Sequence, residues 1–163
     1  MAYIREATVD DAARIAEIYK HFVLHTTISF ETEPLSTEAM AARIADIQRE
    51  YPYFVQIADD DRIAGFCYVH RWKERAAYAR TVENSIYIDP EYQGRGYGRG
   101  MMEHLIEACR QRGIKVIIAC ITGGNERSCE LHRRLGFTQV SLFKNVGQKF
   151  GQILDVVDYE MEI

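Results

Sequence analysis

Glycine recurs at every second position from Gly94 to Gly100, directly between a strand-like segment and a helix-like one. The strand-like segment, Val82 to Asp89, is ended by Pro90, and apolar residues at helical spacing begin at Met101. Because glycine lacks a side chain, this run lets the backbone curl until several N–H groups point into one concavity at a helix N-terminus. Such a concavity binds phosphate-like anions, so the sequence predicts an anion site where this strand is followed by a helix.

The rest of the chain alternates between strand and helix periodicity in the order β-α-α-β-β-β-α-β-α-β-β, which predicts an α/β fold with a mixed sheet. Helices are predicted after caps at Thr8 and at Ser36 or Thr37, after the glycine run from Met101 to a cap at Gly113, and from Asn125 to Gly136. Strands are predicted at 2–7, 54–58, 62–70, 82–89, 116–121, 137–143 and 153–161, the last two joined through 147–151.

Size and composition favour an ordinary globular chain. The 163 residues fit a single domain, 1–163, with 47% apolar and 27% charged residues. No apolar run approaches the ~20 residues of a membrane helix, and the N-terminus lacks a signal-peptide pattern, so a cytoplasmic protein is expected. The net charge of −4 gives no attraction to nucleic acid. The four cysteines are scattered outside any zinc-binding spacing, so no metal site is predicted.

Two common phosphate-binding motifs do not match the glycine run. No Lys-Ser or Lys-Thr pair follows a glycine, which excludes a P-loop. The dinucleotide motif G-x-G-x-x-G fails as well, because its last position falls on Arg99 or Met101. The remaining alternatives are a different anion loop, to which Arg95 and Arg99 add positive charge, and a turn that is rich in glycine for structural reasons alone.

The segment Gln93-x-x-Gly96-x-Gly98 resembles the Q/R-x-x-G-x-G/A motif of the GNAT superfamily of N-acetyltransferases. The resemblance extends over nearly the whole chain, since Asn125 precedes Leu131-His132-x-x-Leu135-Gly136-Phe137, where the superfamily has an asparagine and then L-Y-x-x-L-G-F. Three segments are similar to one branch, the phosphinothricin and methionine sulfoximine N-acetyltransferases: Phe30-Glu31, Thr81 to Ile88, and Phe143-Lys144-x-x-Gly147-x-Lys149.

This resemblance implies a mostly antiparallel, twisted sheet flanked by helices, in which two central strands splay apart to admit acetyl-CoA. The pantetheine arm is then expected to bind along one of these strands like an added strand. The pyrophosphate is expected on the glycine loop, and Asn125, which could also be a plain helix cap, is expected near the pantetheine or acetyl end. The implied cofactor-binding residues are Ile86, Tyr87, Ile88, Gln93, Gly94, Arg95, Gly96, Tyr97, Gly98, Arg99 and Asn125.

Direct acetyl transfer to an amine needs a base for the ammonium, an acid for the leaving thiolate and N–H donors for the oxyanion. Glu83, which precedes the strand that carries the thioester, is the candidate base. His132 stands where the superfamily usually has a tyrosine acid, and histidine carries protons well near neutrality. The sequence leaves open whether the two roles are exchanged. As alternatives, Glu83 is a solvated strand-edge residue and His132 packs in the core.

An amino-acid acceptor needs a cation for its carboxylate, and Arg75 and Arg80 are the candidates, although a solvated charged loop is equally consistent. Phe30, which could instead only anchor its loop, is expected to cover the acceptor. The candidate acceptor-binding residues are Phe30, Glu31, Lys73, Glu74, Arg75, Tyr78, Arg80, Glu83, Asn84 and Ser85.

The predicted function is N-acetylation of a small L-amino acid analogue, with methionine sulfoximine, methionine sulfone and phosphinothricin as the implied substrates, by a homodimer. One alternative is a GNAT enzyme that acts on a polyamine or a protein N-terminus, which an anionic pocket without an acceptor-side arginine would favour. The other is a non-catalytic module that binds acyl-CoA.

Overall fold

The computed structural model describes all 163 residues and has the predicted element order. The strands are β1 (Tyr3–Glu6), β2 (Tyr53–Ile57), β3 (Ile63–Arg71), β4 (Thr81–Ile88), β5 (Val116–Thr122), β6 (Thr138–Lys149) and β7 (Gln152–Glu162). The helices are α1 (Ala12–His25), α2 (Thr37–Gln48), α3 (Tyr97–Gln111) and α4 (Glu126–Leu135), with short 3₁₀ turns at Val9–Asp11, Ala76–Tyr78 and Pro90–Tyr92. No helix combines the length and apolar character needed to cross a membrane.

The seven strands form one sheet in the order β1-β2-β3-β4-β5-β7-β6, and the pairing of β4 with β5 is its only parallel one. That pairing has three register positions and ends at Glu83 opposite Ile118. Both strands continue beyond this point, β4 to Ile88 and β5 to Thr122, without pairing to each other. The predicted mostly antiparallel sheet with a splayed central strand pair is therefore confirmed.

Helices cover both faces of the sheet, because β-strand side chains alternate between the faces. One core cluster joins α1 and α2 to β2 and β3, with Phe22 and Ile44 among its buried residues. The other joins α3 and α4 to β4 and β5, with Met102 and Cys129 among them. Consecutive residues of β4 consequently face different helices, which decides where each site residue points.

The glycine run divides between a loop and the first turn of α3. Gly94 and Gly96 have left-handed backbone angles, φ 77° and 81°, which favour glycine. Gly98 is already helical, and a Cβ there would lie 3.3 Å from Ile88 Cδ1, so its small size serves the packing of α3 against β4. The helix therefore begins at Tyr97, four residues before Met101, where the apolar pattern begins.

The hairpin of β6 and β7 is longer than predicted. The sequence placed the end of the first strand at Phe143, but β6 continues to Lys149 and turns at Phe150 and Gly151, with φ 53° and 72°. A register irregularity between Phe143 and Gly147 allows this, since it absorbs the extra residues as a bulge. Bulged residues break the period-two pattern on which the strand prediction depends.

Candidate active site

A cavity of about 1100 Å³ occupies the space opened between β4 and β5. The unpaired part of β4, from Asn84 to Ile88, forms one wall, and the segment from Ala119 to Thr122 on β5 forms another. The glycine loop and α4 close one end, and the segment between α1 and α2 closes the other. The volume matches the upper range of small-ligand and cofactor sites.

The end nearest the glycine loop has the character of an anion site. Gly94 and Gly96 line it, and a Cβ at either would have no atom within 4 Å, so the backbone borders open space. The first N–H groups of α3 begin at Tyr97, and the helix dipole adds partial positive charge there. Arg99 and Arg127 line the same end. These residues fit the diphosphate of a coenzyme A thioester.

Two predicted residues of this end have partners that the sequence did not reveal. Gln93 donates to the carbonyl oxygen of Ile88 at 3.4 Å and accepts from Arg127, which ties the glycine loop to both β4 and α4. Arg95 is absent from the cavity wall; its guanidinium lies 4.8 Å over the Tyr92 ring and donates to a backbone carbonyl. Beside the glycine loop, Arg127 rather than Arg95 lines the cavity together with Arg99.

The open stretch of β4 presents backbone groups to the cavity. Ile86, Tyr87 and Ile88 pair with β3 on one side only, so alternate N–H and C=O groups on the other side face the space that β5 has left. Asn125 caps α4, accepting from the Ser128 N–H at 3.3 Å, and both residues line the cavity across from β4. An extended ligand chain can therefore hydrogen-bond along β4.

Glu83 lies where β4 and β5 separate, and its side chain lines the cavity while remaining 28% exposed. Its Oε2 is 3.4 Å from Nε2 of His70, the residue directly opposite it on β3. The pKa of His70 is raised: burial alone would lower it, but the hydrogen bond and the charge of Glu83 outweigh that effect. Sequence reasoning missed His70, because only the β3–β4 register brings it to Glu83.

His132 lies on the other side of β4 and is 1% exposed. Its Nδ1 is 2.7 Å from the Ser128 carbonyl oxygen, so this nitrogen carries the ring proton, and Nε2 accepts from Asn84 Nδ2 at 3.2 Å. Burial lowers the pKa of His132, more than the Ser128 carbonyl raises it. A neutral ring with both nitrogens engaged is not poised to donate a proton from Nε2.

The end of the cavity where the sequence resemblance predicts the acceptor, called the acceptor end, is formed by α1 and the segment that follows it. Phe30 and Glu31 line it, together with Tyr19, whose hydroxyl is 2.7 Å from Ser29 Oγ. Lys149 holds this segment in place: its buried ammonium donates to the Ser29 carbonyl oxygen at 2.6 Å. No local sequence pattern indicates this role for Lys149, because the contact joins residues 120 positions apart.

The charged loop between β3 and β4 takes a different place from the one expected for a carboxylate clamp. Its five candidate residues do not line the cavity. They are Lys73, Glu74, Arg75, Tyr78 and Arg80. Lys73 lies over the rings of Trp72 and Tyr78 instead, at 4.5 and 5.4 Å. By contrast Glu83, Asn84 and Ser85, from the same list of predictions, all line the wall.

Comparisons with known proteins agree with this geometry. The acetyltransferase (GNAT) family profile matches residues 15–137. The chain is 32% identical to a phosphinothricin N-acetyltransferase of Streptomyces coelicolor, over 96% of this chain and 94% of that protein. It is 34% identical to an L-methionine sulfoximine/L-methionine sulfone acetyltransferase of Salmonella typhimurium, over 98% and 94%.

A solved structure is similar over almost the entire chain. It is a phosphinothricin acetyltransferase of Sinorhizobium meliloti in complex with acetyl-CoA, with a TM-score of 0.96 and 35% identity, covering 99% of this chain and 88% of that one. The chain therefore belongs to the GNAT family of acetyltransferases, enzymes that take their acetyl group from acetyl-CoA, as the sequence resemblance predicted.

Proposed function

We propose that this enzyme acetylates the α-amino group of a small L-amino acid analogue, with methionine sulfoximine, methionine sulfone and phosphinothricin as candidates. The observation that carries the proposal is the position of Glu83, a carboxylate on the cavity wall where β4 and β5 separate, between the anion-binding end and the acceptor end. The names of the two relatives support this substrate class.

In this proposal, different parts of the cavity wall bind acetyl-CoA, deprotonate the acceptor and stabilise the reacting carbonyl oxygen. Bound acetyl-CoA supplies an activated acetyl thioester. The glycine loop, the start of α3 and Arg127 hold its phosphates, and the open edge of β4 orients its arm. Glu83 removes one proton from the acceptor ammonium, so that the amine can attack the thioester carbonyl. The C–N bond forms as the C–S bond breaks, and the second proton lost from the nitrogen converts the leaving thiolate to the thiol of coenzyme A. N–H groups of Ile86 to Ile88 stabilise negative charge on the reacting carbonyl oxygen.

His132 is assigned a supporting rather than a proton-donating role in this scheme. His132 lines the cavity, but its Nδ1 proton is bound to the Ser128 carbonyl and the Asn84 amide donates to Nε2, so it fixes Asn84 of β4 against α4. The sequence left open which of Glu83 and His132 is the base. With His132 in a supporting role, Glu83 is the base.

A cysteine nucleophile is unnecessary for this reaction. Cys120 lines the cavity, but burial, assisted by the charges of Glu83 and Asp158, raises the pKa of its thiol to about 12. A thiol with that pKa is almost entirely protonated near neutral pH and is a weak nucleophile. Direct transfer from the thioester to the amine is therefore the simpler course.

A second candidate acceptor, a polyamine or a protein N-terminus, is favoured by the charge of the acceptor end. Glu31 and Glu83 line that end, whereas the arginines of the wall lie on α3 (Arg99) and α4 (Arg127 and Arg134). The cations beside that end are already engaged: Arg43 on α2 is paired with Glu31 at 2.8 Å, and the Lys149 ammonium donates to the Ser29 carbonyl oxygen. An amino-acid carboxylate would have to draw on Arg43 or on a rearranged Arg75 or Arg80.

The deciding experiment is a panel of acceptors assayed by release of free coenzyme A. Each amino acid analogue is matched with its decarboxylated amine, and spermidine and a short peptide complete the panel. We expect the carboxylate-bearing analogues to have the higher kcat/KM. Equal rates for the decarboxylated amines would overturn the amino-acid proposal, and preference for spermidine or the peptide would favour the second candidate.

The cofactor site is tested by Gly96→Val, with Gly100→Ala on α3 as its control. Valine at Gly96 is strained at φ 81° and places a branched side chain where the phosphates are expected, so binding should be lost. Gly100 has ordinary helical angles and open space at its Cβ position. Acetyl-CoA at about 100 times its Kd should stabilise the wild type and Gly100→Ala by roughly 2.7 kcal/mol in thermal unfolding, and Gly96→Val not at all.

We further propose that the enzyme is a cytoplasmic homodimer that associates through the β6–β7 hairpin. Six large apolar side chains of the hairpin are at least half exposed: Val140, Leu142, Phe143, Val146, Phe150 and Ile153. Apolar surface gathered in this way is typical of a protein contact. Light scattering should give twice the chain mass of 18.8 kDa, and Val146→Glu with Ile153→Lys should return the monomer. A monomeric wild type would overturn this proposal.

A further inference from the structure

His70 lies behind the proposed base rather than in the cavity. It occupies β3 directly opposite Glu83 on β4, with Nε2 3.4 Å from Glu83 Oε2. Glu83 lines the cavity and His70 does not. His70 is also the more exposed of the two side chains, 38% against 28%. The pair therefore spans the distance from the cavity wall to solvent.

The orientation of the His70 ring is fixed by its other nitrogen. Nδ1 is 2.9 Å from the Arg71 carbonyl oxygen, which can only accept, so Nδ1 carries a proton. In the neutral ring, Nε2 then has a free lone pair that faces Glu83. In the imidazolium, Nε2 donates to the Glu83 carboxylate. One proton can thus be held by either member of the pair.

The charged and titratable groups around His70 favour its protonation on balance. From β4, the hydrogen bond and charge of Glu83 raise the pKa of His70, while burial and the charge of Arg43 on α2 lower it. Tyr68, on the same strand, has its ring centre 6.0 Å from that of His70. From β5, Cys120 is near Glu83 but remains a neutral thiol.

We propose that His70 is the positioning residue of the base, a proton acceptor that orients Glu83 and restores it during acetyl transfer. The acceptor ammonium loses a proton to a Glu83 oxygen and becomes the free amine. The Glu83 carboxylic acid then gives that proton to Nε2 of His70, which becomes an imidazolium, and Glu83 is again a carboxylate. The imidazolium releases the proton to water. This inference deepens the proposed function and depends on Glu83 as the base.

The kinetic test compares His70→Gln with the wild type and with His104→Gln. Glutamine can still hydrogen-bond to Glu83 but cannot take up a proton, whereas His104 is an exposed residue of α3 outside the cavity. We expect His70→Gln to lower kcat, by less than the roughly 10²–10⁴-fold that a general base contributes, with KM for acetyl-CoA unchanged. The kcat of the wild type should rise with pH through the pKa of His70, and this limb should be absent from His70→Gln.

A second measurement does not depend on activity. The ring protons of His70, assigned by comparison with His70→Gln, are titrated by NMR in the wild type and in Glu83→Gln. We expect the pKa of His70 to lie above about 6.5 in the wild type and to fall when the carboxylate is replaced. An unchanged pKa in Glu83→Gln would overturn the pairing.

The outcomes separate this inference from the proposed function. If no amine is acetylated by the wild type, the proposed function fails, and the NMR titration still decides whether the pair exists. If the wild type is active and His70→Gln keeps the wild-type kcat and pH profile, the role of His70 is overturned and the function remains. If the rise of kcat with pH is also absent from the control His104→Gln, the role of His70 is overturned too.

Discussion

The two histidines beside β4 are the same side chain in opposite surroundings. His70 meets the carboxylate of Glu83 on the side where the strand is partly exposed. His132, a buried residue of α4, meets the neutral amide of Asn84 on the face of the sheet that α3 and α4 cover. Each ring directs Nδ1 at a backbone carbonyl, so the difference lies in the partner of Nε2 and in burial. The pKa is raised at His70 and lowered at His132.

This contrast shows that burial alone does not decide how a histidine behaves. Both rings lose water, which lowers the pKa of each, but only His70 faces a negative charge that reverses the effect. A strand whose consecutive residues face different helices can consequently separate proton transfer from structural support. In β4 the two functions are assigned to adjacent positions, Glu83 and Asn84.

The largest expected effect is on kcat, from substitution of Glu83, the charged partner of His70. Glu83→Gln keeps the shape of the side chain but cannot take a proton, so kcat should fall by roughly 10²–10⁴-fold. Binding of acetyl-CoA, measured by calorimetry, should survive. Glu107→Gln, an exposed carboxylate on α3, is the control and should keep wild-type kcat. Near wild-type turnover in Glu83→Gln would mean that the acceptor arrives as the neutral amine.

The next largest effect is on the free energy of unfolding, from substitution of the buried His132. His132→Leu leaves the buried Asn84 amide without its imidazole partner, so the free energy of unfolding should fall by about 1–3 kcal/mol. His70→Gln alters a half-exposed pair and should cost at most about 1 kcal/mol. Urea unfolding of both variants measures the difference. Equal losses of unfolding free energy in the two variants would contradict the proposed difference between His132 and His70.

The smallest effect is the pH dependence of stability, where the two rings act in opposite directions. Because the folded pKa of His132 is lowered, the unfolded chain binds a proton that the native state does not, and stability falls as pH drops below about 6.5. Because the folded pKa of His70 is raised, its contribution is complete below about 6.5 and is lost as pH rises through the folded pKa.

Single variants should therefore separate the two contributions in unfolding experiments between pH 5 and 8. Below about pH 6.5 the wild type and His70→Gln should lose stability alike, through His132; as pH falls toward about 6.5 from 8, the wild type should gain the contribution of His70, whereas His70→Gln should not gain it. Glu83→Gln, which keeps the ring but removes its charged partner, should behave like His70→Gln. A slope unchanged in both variants would contradict the raised pKa of His70.

Sequence patterns predicted the parts of the site that depend on local chemistry. The glycine loop and the cap at Asn125 follow from residue types at short spacings, and the carboxylate of Glu83 follows from the family resemblance that these spacings carry. All three line the cavity. Helix and strand periods also gave the element order, because each pattern spans enough residues to be distinguished.

The remaining parts depend on long-range placement. His70 reaches Glu83 through the β3–β4 register, and Lys149 reaches Ser29 across the fold; neither contact leaves a local pattern. The loop carrying Arg75 and Arg80 was placed at the acceptor because it precedes β4, yet a chain segment next to a wall residue can turn away from the wall. The length of the β6–β7 hairpin was hidden by its bulge.

The short β4–β5 ladder has a consequence for how the molecule exchanges hydrogen with deuterated water. Three register positions join the two halves of the sheet, and beyond Glu83 alternate amides of β4 have no partner strand. Those amides, inside a sheet of seven strands, should exchange as fast as the amides of an outer edge. A ligand chain that bonds to them would slow this exchange and make the two half-sheets stiff as one unit.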